Sequence, residues 1–152
     1  MIEAMNMAEV AYANDEVPVG AIVVYNGEII GRGFNQVITQ NSVSSHAEIN
    51  AINQASQFLK NYRLNGCDMY VTLEPCHMCA KAIIDARINF LYFGANEPKT
   101  GAIESIDQFL DREDINHNLA FRGGYMKDES SKLLKKFFKS KRAKNASQKN
   151  LF

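Results

Sequence analysis

Hydrophobic and polar positions along this chain fall into short runs of two periods, and their order predicts the architecture. Residues 1–13, rich in Met, Ala and Glu, predict a helix that Asn14-Asp15 and Pro18 stop. The β-branched run Gly20-Ala21-Ile22-Val23-Val24-Tyr25 predicts a buried strand. Asn26-Gly27 is the strongest short hairpin signal, and residues 28–33 make the return strand. Residues 34–45 are polar and irregular, a loop long enough to be functional. A helix is predicted over 46–59, a third strand over 68–73, a second core helix over 76–86 and a fourth strand over 88–93.

After a loop at 97–101 come a short helix around 106–110 and a fifth strand at 119–122. A final helix spans 127 to about 141, with Leu133, Leu134, Phe137 and Phe138 on one face among lysines. Residues 143–152 read as a frayed basic tail. Strands alternating with helices after an opening hairpin imply an α/β sandwich with a partly parallel sheet. At 152 residues the chain is read as one domain, covering 1–142, with no internal repeat.

Composition changes this picture little, whereas charge changes it more. The chain is 46% hydrophobic and 22% charged, as ordinary globular proteins are. No apolar run approaches the roughly 18 residues of a membrane span, and the start lacks the pattern of a signal peptide. Three cysteines, two of them in a CxxC pair, fit a reducing compartment, so a cytoplasmic protein with no membrane partner is expected. The net charge of zero hides an asymmetry: all 17 acidic residues precede position 130, while eight of the 17 basic ones follow it. A basic end on an acidic body is either a phosphate-binding arm or a solvated tail.

The candidate chemistry is a split signature: His46-Ala47-Glu48, then Pro75-Cys76-His77-Met78-Cys79. One imidazole and two thiolates make three zinc ligands and leave a fourth position open for water, the arrangement of a catalytic site. Glu48 supplies the base that such a water needs. Cys76 and Cys79 are spaced to share one helical turn, and Pro75 suits a first helical position, which places the thiolates at the positive helix end. Each part has a plainer reading. A CxxC can be a redox pair or two buried small residues, a histidine an ordinary core or surface residue, and Ser45-x-x-Glu48 a capping box. His77 points about 100° away from Cys76 on a helix, so it is read as peripheral or exposed, and Cys67 as a buried small residue.

These residues resemble the zinc-dependent nucleoside and base deaminase superfamily, whose signature is H-x-E followed by P-C-x-x-C. Further stretches extend the likeness over nearly the whole chain. They are Val17-Pro18-Val19-Gly20-Ala21, Gly31-Arg32-Gly33-Phe34-Asn35, Thr72-Leu73-Glu74-Pro75-Cys76 and Phe93-Gly94-Ala95, then Lys99-Thr100-Gly101-Ala102, Asn116-His117 and the closing Lys141-Arg142. They favour the branch that edits tRNA. The resemblance implies a cytidine-deaminase-like three-layer α-β-α sandwich around a five-stranded mixed sheet, and a homodimer. It implies one zinc on His46, Cys76 and Cys79, with Glu48 as proton shuttle. A zinc-activated water would attack carbon 6 of a wobble adenosine in a tRNA anticodon stem-loop, that of an arginine tRNA by the resemblance, and release ammonia. Asn35 and the Ala47 amide would contact the base, and Glu97 and Lys99 the RNA; Asn35 also reads as an ordinary polar residue closing a strand, and 97–99 as a surface turn. Two departures from the family pattern fall in recognition loops: Ser42-Val43-Ser44-Ser45 before His46, and Glu97-Pro98 before Lys99. The rival readings are a deaminase of a free base or nucleoside, guanine or cytidine, and a non-catalytic zinc-stabilised RNA-binding subunit.

Overall fold

The computed structural model describes residues 1–149, in the order α1 (Ile2–Ala13), β1 (Gly20–Tyr25), β2 (Glu28–Phe34), α2 (Ala47–Leu59), β3 (Cys67–Leu73), α3 (His77–Asp85), β4 (Phe90–Ala95), a 3-10 turn (Phe109–Asp111), β5 (Ala120–Arg122) and α4 (Lys127–Lys149). The five strands form one sheet in the order β2-β1-β3-β4-β5. β1 is antiparallel to both neighbours, while β3, β4 and β5 run parallel, so the expected mixed sheet is present. Asn26 and Gly27 both take positive φ, as a tight two-residue hairpin requires.

Helices cover both faces. α1 packs on β1, with α4 beside it through Tyr12 and Phe137, and α2 and α3 pack on the opposite face. Met69, Val71, Ile83, Ile84, Ile88, Leu91 and Phe93 fill the space between sheet and helices. Glycine and alanine set how closely α2 approaches. Its buried stripe Ala47, Ala51 and Ala55 lies on Gly31 and Gly33 of β2. A Cβ at Gly33 would come within 2.1 Å of the Ala47 carbonyl oxygen, a backbone atom that cannot move aside. The start of α2, which carries His46 and Glu48, is thereby seated on the sheet. Gly33→Ala is expected to cost about 3 kcal/mol, read as a shift in the urea midpoint; an unchanged midpoint would deny the close contact.

Several boundaries differ from the sequence reading, among them β4, which runs over Phe90–Ala95 and not 88–93. The helix expected at 106–110 is a 3-10 turn at Phe109–Asp111. α3 starts at His77, with Cys76 as its N-cap, so Pro75 stands before the helix. Its carbonyl instead accepts a hydrogen bond from the Ala102 amide at 2.9 Å. α4 continues to Lys149, so the supposed tail over 143–149 is helical; residues 150–152 lie outside the described part. The apolar face of α4 is as expected for Leu133 and Phe137, which are buried, whereas Phe138 is 44% exposed. Asp15 accepts from Lys141 at 2.6 Å and pairs with Lys144, tying α4 to the end of α1.

Candidate active site

Two strand–helix junctions converge on one point. β2 leads through the 36–45 loop to His46, the N-cap of α2, and β3 leads through Glu74-Pro75 to Cys76, the N-cap of α3. Neither cap residue bonds the helix amides with its side chain, which leaves both side chains for other duty. The Nδ1 of His46 lies 3.8 Å from the Cys76 sulfur and 3.5 Å from the Cys79 sulfur. All three ligand atoms lie within 4.8 Å of one another, a span that one ion can bridge.

The electrostatics suit a cation. The Cys79 thiol beside Cys76 pulls the Cys76 thiol down to about 4, against burial, and His46 adds to the effect. Cys79 is pushed up in turn, first by Cys76 and then by burial. A sulfur held as thiolate beside a second sulfur and an imidazole nitrogen is a donor set that suits a divalent cation. The Cys76 sulfur also holds the His46 imidazole above its ordinary value, against burial.

Glu48 sits in the first turn of α2 and is 4% exposed. Burial pushes its carboxyl up to about 7. The capping-box alternative is not realised, because Ser45 donates to Gln40 at 2.7 Å and α2 is capped by His46. His46, Glu48 and Cys76 line a pocket of about 340 Å³ together with Asn35, Val37, Ile38 and Thr100.

The remaining expected residues separate. The Asn35 Oδ1 accepts the Ala47 amide at 2.8 Å, so that amide is engaged within the protein and the Asn35 side chain presents its own NH₂ to the pocket. Glu97 lines the pocket, whereas Lys99 lines a neighbouring groove with Lys135, Phe138 and Arg142. His77 is half exposed and pairs with Asp107 at 2.8 Å, peripheral as read. Cys67 is buried, also as read.

The sequence reading assigned no role to Glu74. Its carboxylate accepts the amides of Ile103, Glu104 and Ser105 at 3.1, 2.7 and 2.9 Å, the Glu97 amide at 2.9 Å, and the Ser105 hydroxyl. Gly101 passes so close that a Cβ there would meet the carboxylate at 2.5 Å. Four amides and one hydroxyl of the 97–105 loop therefore converge on one side chain. Glu74→Ala orphans these donors and is expected to cost about 3 kcal/mol. Burial raises the Glu74 carboxyl, but its hydrogen bonds to Ser105 and the loop amides outweigh that and leave it below the ordinary value of 4.5. Its stabilisation is thus complete above that value and drains away as pH falls through the lower folded one. Melting curves from pH 7 down to 3 should show Glu74→Gln losing less stability with acid than the parent; parallel curves would refute the linkage.

Comparison with known proteins decides the family. The model of the MafB19-like deaminases matches residues 1–142. A tRNA-specific adenosine deaminase of Agrobacterium fabrum is 44% identical over 93% of this chain and 91% of its own. The chain belongs to the tRNA-specific adenosine deaminase family. A solved structure from work on A-to-I editing by tRNA:A34 deaminases at the wobble position shares 44% identity with this deaminase. It covers 88% of this chain and 97% of its own, with a TM-score of 0.86. A guanine deaminase of Nitrosomonas europaea, 23% identical with a TM-score of 0.73, covers 88% of this chain and 80% of its own, and shares the fold. Among the described residues no helix is long and apolar enough to cross a membrane.

Proposed function

We propose that this deaminase converts adenosine to inosine at the wobble position of a tRNA anticodon, an arginine tRNA being the first candidate, with one zinc ion held by His46, Cys76 and Cys79. The observation that carries the reading is a buried carboxyl, Glu48, on the wall of a base-sized pocket that His46 and Cys76 of the His–Cys–Cys group also line. The donor set fits zinc: a nitrogen and two sulfurs, mutually within 4.8 Å. When bound, zinc lowers the pKa of a water enough to supply a nucleophile at neutral pH.

The chain's own residues do the rest. Glu48, with a carboxyl near 7, takes a proton from the attacking water and gives it to a ring nitrogen of adenine, then takes the proton of the hydroxyl added at carbon 6 and passes it to the amine, which leaves as ammonia. Asn35 presents its NH₂ to the base edge and orients it. Glu97 and Thr100 close the side of the pocket nearest the groove. That groove, about 460 Å³ in volume, has Lys99, Lys135 and Arg142 along it and shares Leu73 and Glu97 with the pocket. It offers a path for the phosphates flanking a splayed-out nucleotide.

The proposal includes a cytoplasmic location and a homodimer, for which exposed Phe58 on α2 and Met78 on α3 offer apolar surface. A monomer mass in sedimentation would end the dimer part. The substrate is tested by inosine formation in an anticodon stem-loop RNA with a wobble adenosine, beside its cytidine counterpart and free adenosine, guanine and cytidine. Conversion of the adenosine stem-loop is the expected result. Turnover of a free base or nucleoside with the RNA untouched would replace tRNA by a small substrate.

A further inference from the structure

We propose that Glu16 is the positioning residue of the pocket's outer wall, holding Thr39 and through it Val37 and Ile38 against the substrate base. Glu16 lies outside the His–Cys–Cys group and the Glu48 proton path, in the turn between α1 and β1. It is 1% exposed and lines the pocket. Its Oε1 accepts both donors of Thr39, the amide at 2.6 Å and the hydroxyl at 2.8 Å.

The anchor is fixed and the thing anchored is not. Glu16 donates its amide to the Ala11 carbonyl at 3.0 Å, closing the end of α1, and Asp15 before it has left-handed φ. The 36–45 loop is tied at its base, where Gln36 donates to the Ser45 carbonyl at 2.9 Å and Asn50 to the Phe34 carbonyl at 2.9 Å. Its tip bonds mainly within itself, through Gln40 to Gln36 and Ser42 to Val37. Among the described residues, the hydrogen bonds that join residues 37–44 to the body beyond the loop's own ends are the two to Glu16. Ile38 and Val43 on this loop are 62% and 84% exposed, so apolar burial does little to seat it.

A buried carboxylate held by a helix end and bonded to a loop tip that no other hydrogen bond ties to the body is a device for pre-organisation. Without it the wall samples open positions, and apparent affinity falls by the fraction of time it is in place. The chemistry of a substrate once bound is left alone. The effect on turnover rests on the tRNA reading above; the effect on the loop does not.

The test uses the full zinc-loaded chain with Glu16→Ala, Glu16→Gln and Thr39→Val. Glu16→Ala should raise KM for the adenosine stem-loop about tenfold with kcat within about twofold of the parent. Hydrogen exchange of the peptide over 37–42 should quicken. Glu16→Gln, which keeps an acceptor oxygen for both Thr39 donors, should restore most of both. A parental KM in Glu16→Ala, unchanged exchange, or a Glu16→Gln protein as impaired as Glu16→Ala would overturn the proposal, the last by pointing to direct contact between the charge and the substrate. Should Glu16→Ala fail to fold, Thr39→Val at an exposed position removes one of the two bonds and should raise KM about threefold; a parental KM there overturns it as well. If the parent leaves the stem-loop untouched, the substrate reading fails, and the exchange measurement decides the role of Glu16 alone.

Discussion

Replacing Glu48 by alanine is expected to lower deamination by about a thousandfold or more while the protein keeps its fold and its metal. The split between activity and stability follows from how Glu48 is held. It is buried, and it does not cap α2. Burial, aided by the charge of the Cys76 sulfur, raises its carboxyl to about 7, which means that the folded chain gains little from its charge. Removing it should move the melting temperature by no more than about 3 °C. Inosine formation, zinc content and melting temperature, measured on one preparation of Glu48→Ala and Glu48→Gln, separate the possibilities. Unchanged turnover would remove Glu48 from the proton path. Loss of zinc together with turnover would make it a support for the ligands instead. A Glu48→Ala protein that keeps zinc and fold but loses the parent's deamination would dispose of the reading of a non-catalytic zinc-stabilised subunit.

Removing zinc is expected to lower the melting temperature by about 10 °C as well as abolish turnover. The ligands come from two junctions, with Cys76 and Cys79 lying 30 and 33 residues after His46, so an ion at that point braces two helix starts at once. An ion bound at a thousandfold excess over its Kd adds about 4 kcal/mol, and in a domain of this size each kcal/mol is worth roughly 2–4 °C. Cys79→Ser should behave like the chelated parent, because Cys79 is wholly buried and lies 3.5 Å from His46. Melting curves with and without a chelator, followed by zinc re-addition, check this. A protein that melts identically in both, and holds no zinc by elemental analysis, would show that the cluster is no metal site.

Local patterns made most of this fold legible. The β-branched run of β1 and the Asn26-Gly27 turn are decided by neighbours in sequence, and they stand where the pattern puts them. So do the starts of α2 and α3, to within one residue. The length of α4 was not legible. Its apolar period ends at Phe138, and only mild helix propensity continues it through Ala143 and Ala146 to Lys149. The triad of His46, Cys76 and Cys79 could be read because its spacing is a local signal on each side. Glu16 and Glu74 could not, since their partners lie 23 to 31 residues away and a buried carboxylate leaves no periodic trace. The bond from the Ala47 amide to Asn35 was illegible for a related reason: it is a pairing across 12 residues that depends on how β2 delivers the loop to α2.

Because Glu74 grips the 97–105 loop through amides and a single serine hydroxyl, the grip is nearly blind to which side chains the loop carries. Residues such as Pro98 and Lys99 can be exchanged without loosening it, so long as Gly101 leaves room for the carboxylate. The reacting groups sit on helix starts seated on glycines, a place with little tolerance. Under the RNA-contact role proposed for this loop, lineages of this enzyme are free to rewrite what they recognise at one address while the chemistry at the next stays the same, and mutational libraries aimed at new RNA contexts belong there.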